Sequence, residues 1–140
     1  MTTVDRLDLA DSAAFREFYD TYERALNRDF DQPYSAVELA ADLVPDEYNA
    51  PIGLAARDDD GIVIGGAWVE LPLKDNVGFA YAEVFVVPER RREGHGTVLV
   101  DALLDACRDA GRTTMLGEPA WGVDDEEAPA RQFAEGLGFI

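Results

Sequence analysis

Apolar and polar positions change period several times along this chain, and each change predicts an element. Between Thr3 and Leu9, Val4, Leu7 and Leu9 stand among Asp5, Arg6 and Asp8, an alternation that predicts a first strand. Asp11 or Ser12 can then cap a helix in which Phe15, Phe18, Tyr19, Tyr22 and Leu26 recur at spacings of three and four, one aromatic stripe suited to core packing. The polar run Asn27–Pro33 breaks that period. Ser35 opens a shorter helix with Ala36, Leu39, Ala40 and Leu43 on its apolar face, ended by Pro45. Two helices around an irregular loop make a lid or a substrate wall.

Strand periods follow. Pro51 to Arg57 and Ile62 to Leu71 flank Asp58-Asp59-Asp60-Gly61, a hairpin pattern, and Gly65-Gly66 inside the second run predicts a bulge or a close backbone approach. After the turn Lys74–Gly78, Tyr81 to Ala110 organises the rest: the strand Ala82–Val87, Pro88, then Arg90, Arg91 and Arg92, Gly94 and Gly96, and a helix predicted over Thr97–Ala110. Its expected core face is Val98, Leu99, Ala102, Leu103, Ala106, Cys107 and Ala110, and Gly111 ends it. Thr113 to Leu116 predicts a short strand parallel to the one before the helix, since a strand-helix-strand crossover runs right-handed. A loop from Gly117, the acidic run Asp124–Glu127 and a last helix over Ala128–Gly136 complete the order. One mixed α/β sheet of about six strands with helices on both faces is expected.

Composition narrows the partners. The 140 residues form one expected domain, 47% hydrophobic, without an apolar run of membrane-span length or a signal-like N-terminus, so a soluble, cytoplasmic protein is expected. Cys107 is the single cysteine and fits a buried helix face rather than a disulfide. With 29 acidic against 12 basic residues the formal charge is −17, which disfavours nucleic acid or an anionic membrane as partner and attracts small cations. The alternative is a solvated acidic surface with no bearing on ligands. Against that charge, three adjacent arginines mark a local exception.

The exception has a chemistry. A strand feeding through a basic, glycine-bearing turn into a helix N-terminus presents N–H groups and a positive dipole end to phosphate, while Gly94 and Gly96 let the backbone come close. The plain alternative is a helix start decorated with surface arginines.

Arg91-Arg92-Glu93-Gly94-His95-Gly96, spaced R-x-x-G-x-G after Val86-Val87-Pro88, together with the closing Phe133-Ala134-Glu135-Gly136-Leu137-Gly138-Phe139, resembles the GNAT N-acetyltransferase superfamily. The resemblance spans nearly the whole chain and implies a single GNAT domain over 1–140 that uses acetyl-CoA and no metal. It implies that backbone of Phe85, Val86 and Val87 holds the pantetheine arm, and that Arg91, Arg92, Glu93, Gly94, His95, Gly96 and Thr97 surround the pyrophosphate. The His95 side chain would then face outward or along the helix, a catalytic role for it being the minor reading.

Transfer to an amine further implies a base. Glu83, a glutamate between apolar neighbours on a central strand, is the candidate, with Glu70 second; a partner for an arginine or a solvent-facing position is the alternative for Glu83. Ala134 stands where the family commonly has a general-acid tyrosine and Glu127 where an asparagine is frequent, leaving Tyr81, water or no acid to protonate the thiolate. GNAT domains normally continue into further strands, and this sequence stops at Ile140, as in a fragment, a lobe of a tandem, or a homodimer whose second chain completes the sheet. The best subfamily likeness is to the N-terminal lobe of actinobacterial two-lobed GNAT proteins. The implied function is acetyl transfer to a small, cationic primary amine or a peptide amino terminus, with a non-catalytic CoA-binding or structural lobe as the alternative.

Overall fold

The computed structural model describes residues 1–26, 31–117 and 135. Along the chain it forms β1 (Thr3–Arg6), α1 (Ser12–Ala25), α2 (Ala36–Asp42), β2 (Ile52–Arg57), β3 (Val63–Glu70), β4 (Phe79–Val86), α3 (His95–Asp109) and β5 (Thr114–Gly117). A single 3-10 turn, Pro88–Arg90, joins β4 to the loop before α3. The strands make one mixed sheet in sequence order, antiparallel from β1 to β4 and parallel between β4 and β5. This is the expected mixed α/β architecture, with five strands among the described residues rather than about six. The expected last helix and most of the loop before it lie outside the described residues.

Local chemistry sets the boundaries. Asp11 caps α1, its carboxylate accepting the Ala14 N–H at 3.0 Å. Ser35 and Glu38 form a reciprocal capping box at the start of α2, 3.2 and 3.3 Å. In the β2–β3 hairpin the Asp58 carboxylate accepts N–H groups from Asp60 and Ile62, and Gly61 takes φ +78°. The first strand ends at Arg6 rather than Leu9, because the Leu7 side chain folds over Gly53 and the Asp8 carboxylate takes the Ala10 N–H, turning the chain into α1.

Neighbouring residues along a strand point to opposite faces, and here each face has its own core. Leu54, Ala67, Val69, Ala80 and Ala82 pack with Leu99, Leu103 and Cys107 of α3. Ala55, Trp68 and Phe85 pack with Phe18, Tyr19 and Tyr22 of α1 and Leu39 and Leu43 of α2. The helices therefore cover both faces, and β3 is buried throughout Val63–Val69. Leu99 and Leu103 are wholly buried, each contributing about 1.5–3 kcal/mol relative to exposure.

Of the two readings of Gly65-Gly66 the close approach holds, while the bulge falls one residue before them. The β2–β3 register passes from Ala56↔Gly65 to Arg57↔Val63, a bulge at Ile64. A Cβ on Gly66 would stand 2.6 Å from Phe85 Cζ and 2.7 Å from Phe18 Cε2, so the missing side chain is what admits the two rings.

The face of α3 differs in part from expectation. The helix begins at His95, two residues early, and the stripe turned to the sheet is His95, Leu99, Leu103 and Cys107 at intervals of four, with Val100 beside it. Val98 and Ala110 are exposed.

Candidate active site

The loop between β4 and α3 is built for tight backbone. Arg92 takes φ +64° and Gly94 φ +91°, the latter as the helix N-cap. A left-handed arginine costs roughly 1–2 kcal/mol and persists because its surroundings fix it. Successive N–H groups around such residues form a concavity that favours anions, and the first turn of α3 adds the positive end of its dipole. The Val98 N–H is bonded to the Gly94 carbonyl at 3.2 Å, so His95, Gly96 and Thr97 stand at the helix mouth.

The three arginines are not equivalent. Arg90 pairs with Asp58 at 2.7 Å and with Glu93 at 3.1 Å, which lowers both carboxyl pKa values, hydrogen bonding to Arg90 being the first cause in each. Arg91 donates from Nε to the Val86 carbonyl and from Nη2 to the Ala25 carbonyl, both 2.9 Å, so it ties the end of β4 to the C-terminal end of α1. Arg92 is exposed on the loop.

His95 departs from expectation: its side chain is buried. Nδ1 lies 2.7 Å from Thr2 Oγ1 and Nε2 lies 3.3 Å from Glu93 Oε1. The early helix start is the physical reason, since it sets His95 one turn before Leu99 on the sheet-facing stripe.

Beside the loop, the β4–β5 register runs from Phe79↔Thr114 to Ala82↔Gly117 over the described residues. Among the described residues, Val84 to Val86 are therefore flanked by β3 alone. Val87 is buried and gives its N–H to the Ile64 carbonyl at 2.9 Å, in the bulge.

On the α1 face of β4 stand Tyr81, Glu83 and Phe85, opposite Glu70, Trp68 and Gly66 of β3 respectively. Tyr22 lies 5.5 Å from both Trp68 and Phe85, centroid to centroid, and Tyr34 lies 6.5 Å from Trp68. Helix α1 holds Tyr34 by its backbone: Tyr22 Oη accepts its N–H at 2.8 Å and Tyr19 Oη donates to its carbonyl at 2.9 Å. Glu83 is exposed. Its charge, after burial, helps raise the Tyr22 phenol, and Tyr34 is raised by burial and then by Asp42, Glu83 and Glu70. The Glu70 carboxyl is raised by burial and by Asp42. Asp42, Glu83 and Glu70 thus all act on the Tyr34 phenol. Tyr34 and Asp42 were not singled out from sequence; the only hint was that they bracket the short helix begun by Ser35.

Ala134 and Glu127 lie outside the described residues, as do residues 27–30 of the loop after α1. Among the described residues no three His, Cys, Asp or Glu are grouped to hold a metal ion, and no helix is long and apolar enough to cross a membrane.

The parallel strand pair of this mixed sheet, β4 and β5, is joined through a glycine-bearing basic loop and α3. The model of the acetyltransferase (GNAT) family matches residues 13–139, and the chain belongs to that family. Solved structures agree on the fold. A tandem GNAT protein from the clavulanic acid biosynthesis pathway superposes with a TM-score of 0.78 at 23% identity, over 99% of this chain and 43% of that one. AAC(6')-Iy, in complex with the bisubstrate analogue CoA-S-monomethyl-acetylneamine, gives 0.73 at 14% identity over 100% and 91%. The ribosomal-protein-S18-alanine N-acetyltransferase from Escherichia coli gives 0.68 at 21% over 99% and 77%. A search of the curated proteins found no match.

Proposed function

We propose that this chain is an acetyl-CoA-dependent N-acyltransferase for a small cationic primary amine. The observation that carries the reading is the pairing of two surfaces on β4: a phosphate-suited loop at its end and an acidic, aromatic face along its side. Arg92 and Gly94 in left-handed conformations and the mouth of α3 fit the diphosphate, and the family likeness supports a pantetheine arm along the backbone at the end of β4. When bound, acetyl-CoA supplies an activated acyl group on a thiolate leaving group.

The chain's own residues then have distinct tasks. Tyr34, exposed beside Trp68, gives the cation an aromatic face, and Glu70 and Glu83 give it opposite charge. Glu83 takes the proton that the ammonium must lose, directly or through one water, so that the amine nitrogen can bond to the thioester carbon as the carbon–sulfur bond breaks. Tyr81, on the same face as Glu83, or water returns a proton to the thiolate. Peptide amino termini are acceptors of the same chemistry. The tandem neighbour, of which this chain spans less than half, supports a second reading as one lobe of a two-lobed protein, the alternative function then being a non-catalytic CoA-binding or structural lobe.

Calorimetry with acetyl-CoA and desulfo-CoA, followed by an amine panel read by thiol release, separates these. We expect micromolar to millimolar CoA binding and turnover on di- and polyamines. Glu83→Gln is expected to lower kcat by about 10²–10⁴-fold while leaving CoA affinity intact. Absence of CoA binding at millimolar ligand would overturn the enzyme and the CoA-binding lobe alike, and binding without turnover on any amine would leave the non-catalytic lobe.

A further inference from the structure

Glu93 is an awkward residue for a phosphate loop. It lies between the two left-handed residues, Arg92 and Gly94, and a free carboxylate there would repel the diphosphate that the loop is shaped to receive. The structure places that carboxylate in a chain of contacts leading away from the helix mouth. Glu93 Oε1 takes Arg90 Nε at 3.1 Å and lies 3.3 Å from His95 Nε2; Arg90 goes on to Asp58 at 2.7 Å, and His95 goes on to Thr2 Oγ1 at 2.7 Å. The partners come from three elements: Thr2 just ahead of β1, Asp58 at the β2–β3 turn, and His95 in the first turn of α3. The His95 and Asp58 side chains are only 8% and 9% exposed, so this chain of contacts is held in the body of the domain on both sides of Glu93.

We infer that His95 is a positioning residue for the cofactor loop: by holding the Glu93 carboxylate against Arg90, it keeps a negative charge out of the diphosphate site. The inference rests on the CoA reading above. It gives the side chains of Glu93 and His95 a role distinct from the backbone contacts their position implies. Without His95, Glu93 keeps one anchor and can swing toward the phosphates. Without Glu93's charge, loss of His95 should matter little.

The test is a cycle of four full-length chains, wild type, His95→Ala, Glu93→Gln and the double variant, titrated with CoA by calorimetry, with melting curves recorded for each. His95→Ala should weaken CoA binding by about tenfold, the scale of one badly placed charge beside a phosphate. Glu93→Gln is the reference without that charge, and the double variant should bind CoA to within about twofold of Glu93→Gln. Thr2→Val, which removes the other anchor of His95 without altering its ring, should weaken binding in the same direction and should also be relieved by Glu93→Gln. A merely structural histidine predicts instead that the double variant stays as weak as His95→Ala, and that result overturns the inference. Unchanged CoA affinity in both folded His95→Ala and Thr2→Val overturns it as well. A wild-type chain that binds no CoA removes the cofactor reading and this one with it, whereas wild-type binding with no rescue removes this one alone.

Discussion

Adding one methyl group at Gly66 tests one of the tightest contacts among the described residues. Phe18 and Phe85 meet there at 5.3 Å between centroids, edge to face, over the space a Cβ would fill. Because both rings are buried in the α1 core, neither can step aside cheaply. Gly66→Ala is expected to destabilise by about 1–3 kcal/mol, read as a lower urea midpoint with unchanged slope. Glu70 makes a second prediction, of pH dependence. Burial and Asp42 raise its carboxyl above the ordinary value, so the folded chain holds that proton more tightly than the unfolded one. Stability therefore falls as pH rises through the folded pKa and is regained as pH drops below the ordinary carboxylate value. Glu70→Gln should raise the melting temperature at pH 7, and the difference from the parent should close as the buffer is taken to pH 4.

Among the elements, α2 is short enough to depend on its cap. Ser35→Ala removes the capping box and should cost about 1 kcal/mol in the same denaturant titration, because Leu39, wholly buried, is carried by only seven residues of helix. Elements of this kind were readable from sequence: Asp11, Ser35, the Asp58–Gly61 turn and Gly65-Gly66 act through residues close in the chain, so their physics is local. The glycine-bearing loop was equally plain. What escaped was set by distant partners. His95 is the buried first residue of α3, with Thr2 at its ring from 93 positions away, and Arg91 is drawn to Val86 and to Ala25, 66 positions away. Glu83 was picked out from its apolar flanks, but that Trp68, Tyr34, Glu70 and Asp42 gather around the same face depends on strand register and on α1 gripping Tyr34. No periodicity records that.

At the scale of the whole molecule, a charge of −17 surrounds a local site with its own polarity. The proposed acceptor is drawn in by the global field, while the proposed cofactor, an anion, must approach against it. The two substrates should therefore respond oppositely to salt. Raising ionic strength from about 0.02 to 0.2 M shortens the screening length from tens of ångströms to below ten. Over that range KM for a diamine should rise and KM for acetyl-CoA should fall or hold, measured by thiol release at saturating second substrate.

The aromatic lattice has an optical meaning besides its packing. Trp68 is almost fully buried, touches the ring of Tyr22 and stands opposite Glu83 in the sheet, so it receives excitation from a tyrosine of α1 while sensing the charge at the proposed acceptor face. Any ligand that settles on that face changes the field at the indole or the geometry of the donor ring. The protein thus carries an intrinsic fluorophore at the junction of helix, sheet and acceptor, through which occupancy of the site can be followed in solution without a label.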